Sequence, residues 1–189
     1  QYKFEYDDWF SHNITTWISV FLRENLTNKN LNILEIGSYE GSSAVFFLDY
    51  FKNSKISCIE TFKGSDEHSN INFENTKKNF AHNLNKYEER LTLIETRSDD
   101  FFNKQIQNKF YDLVYIDGSH HFQDVYNDAI NSFERLNFDG IIIFDDFLKK
   151  YYQDLSKDPI VAIFKFLKKH KKNIKILNVG YQIIIKKIK

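Results

Sequence analysis

Residues 31–43 read LNILEIGSYEGSS, an apolar run that ends in an acid and two spaced glycines before the chain turns helical. Leu31, Ile33, Leu34 and Ile36 make the short, nearly continuous apolar segment expected of a parallel strand covered on both faces. Gly37 and Gly41 free the following loop of side-chain bulk, so the backbone there can take positive φ and a ligand can lie against bare amides. Ser42 and Ser43 open a buried helix through Ala44, Val45, Phe46, Phe47 and Leu48, whose N-terminal amides point at whatever the loop holds. Strand, glycine loop and helix in this order also occur as plain packing punctuation, so their meaning depends on the residues further along the chain.

A second apolar strand at 55–59 delivers Glu60 to the same rim. An acid at that point accepts hydrogen bonds from both ribose hydroxyls of a nucleoside, and its separation from Gly37 is roughly the twenty residues such a pairing needs. Thr61 opens a polar loop over 61–70 that contains Lys63, Gly64, Asp66 and His68, at the strand end where open α/β sheets bind ligands. Residues 91–94 make a third strand, followed directly by Thr96, Arg97, Ser98 and Asp99. Ser98 and Asp99 are candidates to meet the base of the nucleoside, Ser98 the better one because a hydroxyl donates or accepts; either serves equally well as a helix N-cap.

The fourth strand, 111–116, brings Asp117, Gly118, Ser119, His120 and His121 to that rim, and a further buried strand at 140–144 ends in Asp145 and Asp146. Crowded carboxylates raise one another's pKa unless a cation or hydrogen-bond donors compensate them. Rim solvation or helix capping would account for any one of these acids, whereas three converging on one rim favour a hard divalent cation such as magnesium, manganese or calcium. Asp117, Asp145 and Asp146 are therefore the expected metal ligands. A histidine beside such an ion can remove a proton from a hydroxyl. His120 is the expected base, with an ordinary surface histidine as the alternative, because His121 starts the next helix.

At 189 residues, with one proline, six glycines and no low-complexity tract, the chain reads as one domain able to bury its own core. Lysine plus arginine equals aspartate plus glutamate at 26 each, which gives no electrostatic case for nucleic acid; the basic stretch at 165–175 reads as a solvated helix face. No apolar stretch is long enough to span a bilayer. The single cysteine, Cys58, sits inside a strand as a small buried hydrophobe, which suits a reducing, cytoplasmic setting. The sequence holds no methionine, as a domain excised from a larger protein would. Residues 9–25 carry a helical stripe of Trp9, Phe10, Trp17, Val20 and Phe21, while residues 2–8 have no partner stripe and stand as an alternative part of a substrate mouth. The closing strands, 174–177 and 181–188, are joined by so short a link that they suit an antiparallel hairpin.

The segment Glu35-Ile36-Gly37-Ser38-Tyr39-Glu40-Gly41 resembles the cofactor loop of class I S-adenosylmethionine-dependent methyltransferases, and the resemblance extends over nearly the whole chain. Tyr115-Ile116-Asp117-Gly118-Ser119-His120 followed by Phe144-Asp145-Asp146 is similar to the metal-dependent O-methyltransferases, including those that methylate sugar hydroxyls in macrolide antibiotics. The loop lacks a middle glycine, and Asn137-Phe138-Asp139-Gly140 has one glycine where relatives often have two. The resemblance implies an α/β, Rossmann-like, doubly wound sheet of seven strands, parallel except for the last, with a helical extension over 1–25 and the core over 31–189. It also implies that Glu35, Gly37, Ser38, Tyr39, Gly41, Ser42, Glu60, Thr61, Ser98, Asp99 and Asp117 surround S-adenosylmethionine, and that Asp117, Asp145 and Asp146 gather Mg2+ beside His120. The implied activity is O-methylation of a sugar hydroxyl on a small molecule or glycan. A catechol-like acceptor and a non-catalytic cofactor-binding domain of a larger glycan-processing protein are the alternatives. Neither nucleic acid nor membrane is an expected partner, and a homo-oligomer or a place in a multidomain protein stays open.

Overall fold

The computed structural model describes residues 1–6, 8–64, 71–104 and 109–189; Asp66 and His68 of the polar loop lie outside the described residues. A 3-10 turn, Ser11–Asn13, leads into α1 (Ile14–Arg23). There follow β1 (Asn32–Ile36), α2 (Ser42–Tyr50), β2 (Lys55–Glu60), α3 (Phe73–Leu84), β3 (Leu91–Glu95), α4 (Ser98–Lys104), β4 (Tyr111–Ile116) and α5 (Phe122–Glu134). The chain closes with β5 (Leu136–Phe144), α6 (Pro159–His170), β6 (Ile174–Val179) and β7 (Ile183–Lys187). One seven-stranded sheet has the order β3-β2-β1-β4-β5-β7-β6, and β7 alone runs against its neighbours. The order reverses between β1 and β4, so the crevice at their carboxyl ends is where such a sheet receives a ligand.

Two apolar layers cover the sheet. On one face Trp17, Phe21, Phe47, Phe51 and Phe80 pack against Ile33, Leu113 and Tyr115; on the other Val125, Ala129, Phe133, Ile163 and Phe166 pack against Leu34, Val114 and Ile142. Burial on both faces is why β1, β4 and β5 read as continuous apolar runs. Pro159 sits in the first turn of α6, where its missing N–H has no helical partner to lose. Among the described residues no helix is long and apolar enough to cross a membrane.

The extension departs from the sequence reading. Helical structure begins only at Ser11, and Trp9, placed on the helical stripe, is half exposed with its ring 5.4 Å from that of Tyr39. The segment before it is strapped to the core: Glu40 accepts from the amides of Glu5 and Tyr6 at 3.2 and 3.4 Å, and Asn83 bonds both the amide and the carbonyl of Lys3. β5 also starts earlier than expected, at Leu136, with a register shift in its pairing to β4 that takes up residues 137–140.

Candidate functional site

A cavity of about 1690 Å3 opens along the carboxyl ends of the parallel strands. Its walls include Gly37, Ser38, Tyr39 and Ser42 after β1, Glu60 and Thr61 after β2, and Ser98 after β3. Asp117 and His120 after β4 and Asp145 and Asp146 after β5 complete the rim, and Tyr2, Phe4, Tyr6 and Trp9 of the N-terminal strap form part of the mouth.

Gly37 holds φ at +85°, and a Cβ there would collide with the Asp117 carbonyl oxygen and lie 2.9 Å from Gly118 Cα. The glycine therefore lets the ends of β1 and β4 close on each other. Gly41, also at positive φ, does not line the cavity; a Cβ there would lie 2.8 Å from Leu84 Cδ1, so its bareness serves the packing of α2 against α3. Glu60 turns inward: Oε2 accepts from the amides of Ser38 and Tyr39, both at 2.9 Å, and Oε1 from that of Phe62 at 2.8 Å. A carboxylate offers about four acceptor sites, so a ligand hydroxyl meeting Glu60 finds one open and must share or displace for a second.

Two further expected cofactor contacts lie off the cavity. Glu35 is fully buried beneath the loop, where Ser38 Oγ donates to it at 2.6 Å, Cys58 Sγ at 3.4 Å and Ser43 Oγ through a short bond. Its carboxyl braces the loop from below instead of meeting a ligand. Asp99 is turned away to Arg97, which donates from Nε at 3.0 Å. Ser98 does line the cavity, but its hydroxyl bonds the buried Asp128 carboxyl, and burial pushes Asp128 up to about 7. Asp128 was not expected from sequence; it shares a helix face with Val125, Ala129 and Ser132, and a lone acid within that stripe was the available signal.

Burial likewise raises Glu35 to about 7 from an ordinary 4.5, against the opposing hydrogen bonds of Ser38, Ser43 and Cys58. The folded state thus keeps a proton that the unfolded chain has released. The stabilisation is complete below pH 4.5, declines as pH rises and is gone above about 7, a swing of about 3 kcal/mol. Glu35→Gln is expected to flatten that decline, checked by urea unfolding at about pH 5 and pH 8; an unchanged slope in the variant would assign the pH dependence to other groups.

The acids after β4 and β5 are crowded. The Tyr115 hydroxyl lies between Asp117 Oδ2, at 2.8 Å, and Asp145 Oδ2, yet it has one proton for two carboxylates. Burial first, then repulsion from Asp145 and Asp146, holds Asp117 well above the usual carboxylate range; burial and Asp146 raise Asp145 as well. For Asp146 burial acts upward too, but hydrogen bonds from His120, Tyr151 and Tyr181 outweigh it and hold the group at about 2. His120 Nε2 stands 2.9 Å from Asp146 Oδ2.

Asp117, His120 and Asp146 each present a ligand atom within 4.8 Å of the others. The grouping holds two of the three expected ligands, Asp117 and Asp146, with His120 in the third place and Asp145 outside it. Asp145 is engaged elsewhere: Oδ2 takes Tyr115 and Gln182 Nε2, the latter at 2.9 Å, and Oδ1 takes the Asp146 amide at 2.7 Å. Gln182 is in turn fixed by Trp17 Nε1 at 2.5 Å. These partners escaped the sequence reading because hairpin register supplies them. Phe144 pairs antiparallel with Ile183, so Gln182 and Tyr181 fall beside Asp145 and Asp146.

His121 is the residue before α5, and its Nδ1 bonds Tyr152 Oη at 3.0 Å. Two carboxylates with an imidazole beside them, Asp117 held high by burial and by its acidic neighbours, fit a divalent cation of the magnesium or manganese type.

The strand order, the single reversed strand and a cavity at the β1 and β4 switch point define a class I methyltransferase fold. A methyltransferase-domain family model matches residues 34–147, more than half of the chain, and the chain belongs to that family. An uncharacterized protein of Acanthamoeba polyphaga mimivirus is 28% identical over 150 residues, which cover 73% of this chain and 61% of that protein. The chain thus spans less than two thirds of that relative. Among solved structures, an O-methyltransferase from Bacillus cereus in complex with SAH superposes with a TM-score of 0.68 at 15% identity, covering 98% of this chain and 84% of the other. The MycE methyltransferase of the mycinamycin biosynthetic pathway, in complex with Mg, SAH and mycinamycin VI, gives 0.67 at 16%, covering 97% and 51%.

Proposed function

We propose that this chain is an S-adenosylmethionine-dependent O-methyltransferase assisted by a divalent cation, with a sugar hydroxyl of a small molecule or glycan as acceptor. The observation that carries the reading is the gathering of Asp117, His120 and Asp146 at one end of a cavity whose other end is the Gly37 loop. S-adenosylmethionine supplies a sulfonium methyl group, and a divalent cation, when bound, lowers the pKa of a hydroxyl it holds.

The chain's own residues do the rest. The Gly37 to Tyr39 backbone and Glu60 hold the amino-acid and ribose ends of the cofactor, with Thr61 and Ser42 beside them. Asp117 and Asp146 hold the cation, and Asp145 stiffens Asp117 through the shared Tyr115 hydroxyl. His120 takes the acceptor proton, and Asp146, bonded to that ring, orients it and favours its protonated form as the proton arrives. The aromatic mouth of Tyr6, Trp9 and Tyr39 offers flat apolar faces for a sugar ring and sheds water from the site. A catechol-like acceptor is the second reading, favoured by the Tyr151 phenol that already bonds His120 and Asp146.

Calorimetry with S-adenosylhomocysteine tests the cofactor half: Glu60→Ala is expected to weaken binding roughly tenfold or more. Equal affinity in parent and variant would remove Glu60 from the site. Turnover of a panel of sugars, nucleotide sugars and catechols tests the other half, and full activity in excess EDTA would remove the cation from the reaction.

A further inference from the structure

The Tyr151 side chain stands where the reaction needs its acceptor. Its hydroxyl donates to Asp146 Oδ2 in a short bond and lies 3.2 Å from His120 Nε2, and its ring stacks on the imidazole with centroids 4.0 Å apart and planes 10° from parallel. An acceptor oxygen must be within hydrogen-bond reach of the base and beside a carboxylate of the cation site. One oxygen can occupy that position. A second phenol, Tyr181, takes the other oxygen of Asp146, so both carboxylate oxygens are committed within the chain.

The segment that carries Tyr151 is held at both ends. Lys149 donates its amide to the Asp146 carbonyl at 3.1 Å, and the amides of Tyr151 and Tyr152 both donate to Asp158 Oδ1, at 2.8 and 3.0 Å. Asp158 is fully buried at the start of α6, and its other oxygen, Oδ2, has no hydrogen-bond partner among the described residues. Two amides on a single buried oxygen make a localised fastening. Phe147 anchors the Asp146 end in the core, whereas Leu148, Lys149 and Lys150 are exposed, so little buried apolar surface opposes movement beyond Phe147.

We propose that Tyr151 fills the acceptor subsite in the resting protein and determines specificity: an acceptor enters by displacing its hydroxyl from His120 and Asp146. This deepens the proposed function and rests on its assignment of His120 and Asp146. A displaced phenol leaves a slot one aromatic ring thick beside the imidazole. Acceptors that offer a hydroxyl on a flat ring face replace its contacts most fully.

The test uses Mn2+ alone, followed by electron paramagnetic resonance, on the full chain as parent, Tyr151→Phe and Asp117→Asn. Tyr151→Phe keeps the stacked ring and removes the hydroxyl that competes with the ion for Asp146, so Mn2+ is expected to bind roughly tenfold tighter. Asp117→Asn is expected to bind at least tenfold more weakly. Equal Mn2+ affinity in parent and Tyr151→Phe, with Asp117→Asn still weakened, overturns the role of Tyr151 and leaves the cation site standing. Mn2+ binding indifferent to Asp117→Asn overturns the cation site and the inference with it. With an acceptor found in the panel, Tyr151→Phe is expected to lower KM severalfold. A raised KM would make Tyr151 an aid to acceptor binding and overturn its role as occupant.

Discussion

Replacing His120 with alanine is expected to lower the rate of the chemical step by roughly a hundredfold or more while leaving S-adenosylhomocysteine affinity within about twofold of the parent. The asymmetry follows from position. His120 Nε2 contacts Asp146 and Tyr151 at the acid end of the cavity, remote in its contacts from the Glu60 and Gly37 loop that the nucleoside would occupy. A group that removes a proton contributes to the transition state and leaves binding of the donor molecule untouched. His121→Ala is the internal control, expected to stay within about threefold of the parent, because its ring bonds and stacks on Tyr152. Single-turnover measurements separate the outcomes. Rates indifferent to His120→Ala but collapsing in His121→Ala or Lys63→Ala would move the proton acceptor elsewhere.

Gly37→Ala is expected to cost more than about 3 kcal/mol of stability, or to prevent folding, because two independent penalties coincide. The residue sits at φ +85°, a region an L side chain enters at a cost of about 1 kcal/mol. Its new Cβ would also run into Asp117's carbonyl oxygen and lie 2.6 Å from the attached carbon, both backbone atoms that cannot rotate aside. Relief requires parting the ends of β1 and β4, where the Asp117 amide donates to the Ile36 carbonyl at 2.8 Å. Gly180→Ala offers the contrast: the nearest atom to its added Cβ is 3.7 Å away, and its stability is expected to change by less than about 1 kcal/mol in either direction. Urea unfolding of both variants checks the pair. A Gly37→Ala protein as stable as Gly180→Ala would show that the strand ends separate freely.

The legible and illegible parts of the site divide along a physical line. Glu60, Asp117, Asp145 and Asp146 were singled out because each is the first or second polar residue after an apolar run, and parallel strands put all such positions on one edge. Glu35 and Gly41 were assigned to the cofactor by motif position, yet one sits beneath the loop and the other against α3, since adjacency in sequence does not say which side of a turn a group faces. The N-terminal strap shows the same limit. Its residues lack a periodic apolar face, and their place at the cavity mouth depends on Glu40 from the loop after β1 and on Asn79 and Asn83 from α3.

From sequence alone came the α/β class, the seven strands, the single reversed hairpin strand, the cavity edge and the histidine nearest its acids. These rest on local information: apolar run length, glycine positions and polar residues at strand ends. Tertiary structure alone decided which acids share a site and who holds them. Asp146 joined Asp117 and His120 while Asp145 was drawn to Tyr115 and Gln182. Tyr151 and Tyr181 reached Asp146 from positions 5 and 35 residues further along the chain. Adjacent residues on a turning chain point in different directions, and long-range partners are set by the register of β7 on β5 and the fastening at Asp158, neither of which any local pattern encodes.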